Sequence, residues 1–322
     1  MIRVSQRRSR LGIAKAVSCM AGVGLLGLMS VREANAAGDP RGILGTAPAA
    51  PHQEPEDEST RMSVAELRQT LPDLKLRESP PAALLALQFG MHVPYQVLGL
   101  GLTAEFYPTR WLRLSGLYSF GFSPIENDVT FSHFGEAALG VAVFNRISDS
   151  PLDLTSRAIP NADPYTIKTF VPRYQAVFVE GGALTGFFSP ARCTANCNDE
   201  LTPKTLVAAN QQLVMPFAGV RYVSYYKVSS ERARFQKRNY LQLYAHVFAK
   251  AFNAPGYPIY DYKGESFANG PVGGRVGFDL PPGLCIADLV LHTGCAQGGG
   301  AVGYSPTPGY LFLELHLSYL ID

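Results

Sequence analysis

Between positions 96 and 122 the chain alternates apolar and polar residues twice over, in "QVLGLGLTAEFY" and "WLRLSGLYSFGF", joined by Pro108, Thr109 and Arg110. In the first run Leu98, Leu100, Leu102, Ala104 and Phe106 share one face, and Gly99, Gly101, Thr103, Glu105 and Tyr107 the other. The second run sets Leu112, Leu114, Gly116, Tyr118, Phe120 and Phe122 against Trp111, Arg113, Ser115, Leu117, Ser119 and Gly121. A period of two marks β-strands, whose successive side chains point to opposite faces. A three-residue connection predicts a hairpin with Glu105 opposite Arg113 and Thr103 opposite Ser115, so that apolar meets apolar and acid meets base.

Similar runs are predicted near 83–92, 96–107, 111–122, 133–146, 173–187, 212–227, 239–253, 271–280 and 309–321, with a further one near 284–293. Many are longer than an ordinary strand of about 5–6 residues and match the roughly 9–11 residues that a tilted membrane-spanning strand needs. Their polar faces carry glycines, small residues and a few charges of both signs, not the dense Lys, Glu and Thr of a wetted sheet. Aromatics collect near run ends, at Tyr107, Trp111, Tyr222, Tyr226 and Tyr319, as in interfacial girdles. The simple solution is inside-out: an all-β, antiparallel transmembrane β-barrel of 8–10 strands, apolar face to lipid and polar face to the lumen. A soluble periplasmic β-sandwich or a lipocalin-like binding protein has the same alternation with the apolar face inward, and strand length weighs against both. The stretches 147–172 and 188–210 read as long loops on opposite sides of the membrane, unless a strand is hidden near 165–170 in "YTIKTF".

Upstream the character changes. Arg3, Arg7, Arg8, Arg10 and Lys15 precede an apolar stretch at 16–31, and Ala34-Asn35-Ala36 fits a small-x-small cleavage site, so 1–36 reads as a signal peptide cleaved near Ala36. Residues 37–80 are rich in Pro, Ala and acid and read as a flexible periplasmic linker. Within them, Ser63 and Glu66 form a capping-box pattern that predicts a short helix near 63–71, taken as a lone amphipathic turn on the surface. Residues 81–322 form the barrel. Export leaves four cysteines in an oxidising compartment, Cys193, Cys197, Cys285 and Cys295; three pairings are open, and local closure of each close pair is the simplest. His292 stands three residues before Cys295 without a CxxC, which is not a metal-site spacing. A net charge of +2 invites no nucleic-acid partner, and no cofactor is implied.

The polar faces place Glu105, Arg113, Glu136, Arg221, His246, Lys250, Arg275, Glu314 and His316 in the lumen. In a narrow barrel such charges must pair, because an unpaired buried charge is costly. Glu314, His316 and Ser318 also alternate on one face of the last run, an acid, a base and a nucleophile, and His-x-Ser is similar to the spacing in outer-membrane lipid A deacylases. Neighbours on one strand face lie about 7 Å apart, too far for a relay, so a paired lumen network is preferred over catalysis.

With "GLGLTAEFYPTRWLRLSGLYSFGF" and the terminal "GYLFLELHLSYLID", the chain from 81 to 322 resembles the bacterial outer-membrane β-barrel proteins as a general class. It departs from the class at its end, where Leu320, Ile321 and Asp322 follow Tyr319 in place of a final aromatic residue. The resemblance implies residence in the outer membrane of a Gram-negative cell, with contacts to its lipids and lipopolysaccharide and to the barrel-assembly machinery. The expected role is a structural or surface barrel with a narrow, charge-filled lumen; the alternatives are a passive diffusion porin and a lipid-modifying hydrolase.

Overall fold

A computed structural model describes residues 63–93, 96–123, 130–155, 166–188, 191–195, 205–208, 211–230, 235–254, 270–281, 284–285, 295–307 and 309–321. Among the described residues one short helix, α1 (Val64–Thr70), precedes fourteen strands: β1 (Lys75–Arg77), β2 (Ala83–Val93), β3 (Gln96–Thr109), β4 (Leu112–Ser123), β5 (Thr130–Thr155), β6 (Thr166–Phe188), β7 (Ala191–Ala195), β8 (Thr205–Ala208), β9 (Gln211–Ser230), β10 (Phe235–Ala249), β11 (Val272–Asp279), β12 (Leu284–Cys285), β13 (Cys295–Pro306) and β14 (Gly309–Ile321). Ten of them, β2–β6, β9–β11, β13 and β14, pair antiparallel in one ring, which closes through β14 with β2 and β6 with β9. Closure leaves no barrel strand with an open edge along its paired length. With an even number of strands the ring begins and ends on one side, called here the terminal rim; the opposite end is the far rim.

The outer wall is apolar. Leu87, Leu100, Tyr118, Phe120, Val141, Val220, Val247, Leu315 and Leu317 are each about half exposed, from 48% to 59%. Their alternating partners Gln88, Glu105, Arg113, Glu180, Arg221, Gln242, His246, Arg275 and Glu314 are all at most 5% exposed. Burial of polar side chains beneath an exposed apolar wall is the inverse of a soluble barrel and fits a hydrocarbon surround.

Four sequence expectations change. The β3–β4 register pairs Glu105 with Ser115 and Phe106 with Leu114, two residues from the expected pairing, because the ladder slips between Phe106 and Thr109 and the turn tightens to Thr109↔Leu112. Parity survives the shift, so each face keeps its members. The tenth barrel strand is β13 and not 284–293; β12 supplies only two paired residues there, and 286–294 lie outside the described residues. The stretch 147–172 is largely strand: β5 and β6 run on as a ladder as far as Thr155↔Thr166, so residues 166–170 belong to β6, and 156–165 lie outside the described residues. Residues 188–210 contain the small β7–β8 hairpin.

The fourth change concerns α1. Its capping box is formed: the Ser63 amide donates to Glu66 Oε2 at 2.7 Å and the Glu66 amide to Ser63 Oγ at 3.2 Å. The Ser63 amide, joined by the Ser63 hydroxyl at 2.8 Å from the same oxygen, holds the Glu66 carboxyl below the usual carboxylate range. The helix is docked, not a lone turn. β6 leaves β9 beyond Tyr174↔Tyr225, and β1 pairs with β9 just past that point, Arg77 opposite Lys227. Leu67, Leu71 and Leu74 fill the crook between the β5–β6 extension and β9, against Leu152, Val171, Tyr226 and Val228. Ser230 Oγ donates to both carboxylate oxygens of Asp73 at 3.0 Å, which fastens the segment.

Candidate functional site: the filled lumen

Inward side chains form three layers. Nearest the terminal rim, Leu84, Tyr107, Tyr174, Phe178, Tyr225, Tyr240 and Leu320 pack together. Nearest the far rim, Phe134, Leu184, Leu213, Met215, Phe217, Phe248 and Phe312 form a second apolar plug. Between them lies a charge layer whose members come from nearly every strand of the ring.

Glu105 on β3 is held by Arg113, with Nη2 at 2.9 Å from Oε1 and Nε at 3.3 Å from Oε2. The two are diagonal neighbours across the ladder, still within reach of long side chains. Glu105 also accepts from the Tyr107 hydroxyl at 2.8 Å, from Gln242 Nε2 at 3.0 Å and from the Tyr240 hydroxyl. Arg113 reaches across the lumen to Glu180 on β6 at 3.0 Å. Glu180 is a hub: Arg221 Nε lies 2.9 Å from one oxygen and 3.0 Å from the other, and His246 Nε2 meets the first. Arg275 Nε donates to His246 Nδ1 at 3.1 Å, and its Nη groups bind Glu314 at 3.1 Å and Glu136. His316 closes the chain of contacts, with Nε2 at 2.7 Å from Asp279 and Nδ1 at 3.4 Å from Glu314. Three arginines thus serve four carboxylates, Glu105, Glu136, Glu180 and Glu314, and His316 serves the fifth, Asp279. Aromatic faces line the same layer: Arg221 stands 4.4 Å from the Tyr244 ring centroid, and Arg275 5.2 Å from Tyr244 and 5.5 Å from Phe248.

Eight of the nine expected lumen residues occupy this layer. Lys250 does not: β10 ends at Ala249, the chain turns, Ala251 enters the far plug and Lys250 is exposed. Glu180, Asp279 and His92 were not among the expected residues. Glu180 was visible in principle, since it alternates with Tyr174 and Phe178 along β6, and Asp279 with Arg275 along β11. His92 stacks on Phe134 with centroids 4.2 Å apart, at the end of its run, where periodicity gives least guidance. Of the expected interfacial aromatics, Trp111 is 55% exposed at the β3–β4 turn, and Tyr222 and Tyr319 lie on the outer face, half-buried. Tyr107 instead points into the lumen, as its parity with Glu105 requires, and Tyr226 is on the outer face but covered by α1. Ser318 is buried on the face that carries His316, whose Nε2 is bound to Asp279 at 2.7 Å and whose Nδ1 lies 3.4 Å from Glu314. Cys285 lies opposite Cys295 in the β12–β13 ladder; Cys193 is on β7 and Cys197 lies outside the described residues.

An antiparallel ring of ten strands with an apolar exterior and a polar, side-chain-filled interior is a transmembrane β-barrel. No family description and no curated protein matches the chain. Among solved structures it is similar to the N-terminal β-barrel domain of Pseudomonas aeruginosa OprF, 8% identical over 74% of this chain and 96% of that one, with a TM-score of 0.27. It is also similar to the NanC porin, 8% identical over 74% of this chain and 99% of that one, with a TM-score of 0.28. The fold assignment rests on the strand ladder itself.

Proposed function

We propose that this protein is an integral outer-membrane β-barrel whose lumen is closed at rest, exported by the 1–36 signal and set among outer-membrane lipids by its apolar wall. The observation that carries this reading is the three-layer filling. Two apolar plugs bracket a charge layer in which each arginine is already matched to carboxylates. A hydrated ion crossing it must break paired charges and displace aromatic side chains in turn. The role is structural or surface-directed, with Cys285 and Cys295 joined as a clasp beneath the terminal rim. β14, with Leu311, Leu313, Leu315 and Leu317 on its outer face, is the strand offered to the assembly machinery.

A passive diffusion pore is the second reading. One observation favours it: a cavity of about 80 Å³ within the charge layer, bordered by Glu105, Arg113, Arg221, Arg275 and Glu314, with room for a few waters. Planar-bilayer recordings of the purified full chain separate the two. The closed barrel is expected to give no steady openings at modest voltage, and regular unitary steps would establish the pore.

A further inference from the structure

The outer wall is not apolar throughout. Past the belt residues Val141, Val143 and Phe144, toward the terminal rim, β5 and β6 present a polar block to the outside. Arg146 pairs with Gln175 and Ser148 with Arg173, so all four share the outer face and the two arginines are diagonal neighbours. Arg146 is exposed and Arg173 half-buried. Each guanidinium is bound through Nε alone to a neutral partner: Arg146 to Gln175 Oε1 at 2.8 Å, Arg173 to Ser224 Oγ at 2.5 Å. Gln175 Nε2 donates to the Tyr222 hydroxyl at 3.0 Å, which holds the acceptor in place. No carboxylate among the described residues pairs with either arginine, in contrast to Arg113, Arg221 and Arg275 in the lumen.

The geometry points to a binding site for the phosphate of an anionic phospholipid headgroup, held by the free Nη edges of Arg146 and Arg173. Two guanidiniums fixed by their Nε groups present their remaining donors in the fork arrangement that matches phosphate oxygens. Their height, one residue pair beyond the apolar belt, is where headgroups lie. Phe144 beneath, with Arg146 5.8 Å from its ring centroid, and exposed Trp111 on the adjoining turn provide apolar surface for the glycerol and upper acyl region. The turn is tied to the site: Asn145 Nδ2 donates to the Arg110 carbonyl at 3.4 Å, and the Ala142 amide to the Trp111 carbonyl at 2.9 Å.

The site rests on the membrane placement proposed above, and one experiment tells the two apart. Trp111 is the sole tryptophan, so its fluorescence reports the lipids beside it. The full chain is folded into phosphatidylcholine vesicles containing either brominated phosphatidylglycerol or brominated phosphatidylcholine at the same low mole fraction. Brominated phosphatidylglycerol is expected to quench Trp111 about twofold or more strongly than brominated phosphatidylcholine, as expected for a charge-assisted contact. That excess is expected to vanish in Arg146→Gln/Arg173→Gln, to persist in Arg146→Lys/Arg173→Lys, and to survive excess free inorganic phosphate. Equal quenching by the two lipids in the wild type, or an excess unchanged in the Gln variant, would overturn the site; loss of the excess with free phosphate would assign it to soluble anions. Absence of quenching by either lipid would instead sink the membrane placement.

Discussion

Arg275 stands between two carboxylates, Glu136 and Glu314, and against the rings of Tyr244 and Phe248. Removing one partner of a buried ion pair leaves the other charge without compensation, at a cost of about 3–5 kcal/mol. Arg275→Ala is therefore expected to lower the barrel's stability by that amount, read as a shift of the urea midpoint of heat-modifiable gel mobility. The combined variant Arg275→Met/Glu136→Gln/Glu314→Gln removes the charges together and is expected to recover most of the loss. A triple variant as unstable as Arg275→Ala would show that the arginine acts through packing and not through charge. A matched pair of glycines makes the same point sterically. A Cβ on Gly299 would lie 2.2 Å from Asp279 Oδ1 and 2.5 Å from His316 Nε2, so this position is kept bare for the ion pair. Gly298, one residue along and facing outward, has nothing within 4 Å of its would-be Cβ. Gly299→Val is expected to destabilise by about 1–3 kcal/mol through overpacking, and Gly298→Val to be neutral or stabilising by the same gel assay.

Those glycines also explain which elements could be read in advance. Strands whose two faces carry contrasting side chains, such as β3, β4 and β14, were legible to within a residue or two, as was the parity that sends Glu105, Arg113 and Glu314 inward. β13 was not, because "CAQGGGAVGYSP" has too few side chains to display alternation. The lumen needs that bareness: the bulk of Asp279 and His316 occupies the volume that β13 gives up. The β5–β6 extension escaped for another reason. Beyond Tyr174 it stands clear of the ring, so its residues obey neither the lipid nor the lumen pattern. Its partner is α1, whose docking depends on contacts distant in sequence. Leu67 is fully buried in the crook, and Leu67→Ala is expected to weaken docking by about 2–3 kcal/mol. Limited proteolysis is expected to cut the 63–80 segment of this variant faster while the barrel's gel mobility stays unchanged. Concerted loss of both would make α1 part of the barrel's own stability. Acid acts in the same direction. Because the folded state holds the Glu66 carboxyl low, the cap's contribution is complete above the ordinary carboxylate pKa and is lost as pH falls through the lowered value. Fraying of the segment is thus expected under acid before any change in the barrel, with protease sensitivity as the readout.

At the scale of the whole molecule the lumen is three obstacles in series. The ring fixes a cross-section, and ten strands leave only a little more interior than the eight that side chains can fill. For obstacles in series the largest sets the flow, so opening one layer should not open the barrel. Phe217→Ala/Phe248→Ala thins the far plug, Tyr107→Ala/Tyr240→Ala the terminal plug, and Glu180→Ser/Arg221→Ser the charge layer without altering net charge. Each double variant is expected to stay silent in planar bilayers, and the three together to conduct. The combined channel would retain Arg113 and Arg275 against Glu105, Glu136, Asp279 and Glu314, so its reversal potential in a salt gradient is expected to show weak cation preference. Conduction after Phe217→Ala/Phe248→Ala alone would show the far plug to be the only gate. The charge layer beneath it would then be the lining of a pore and not part of its closure.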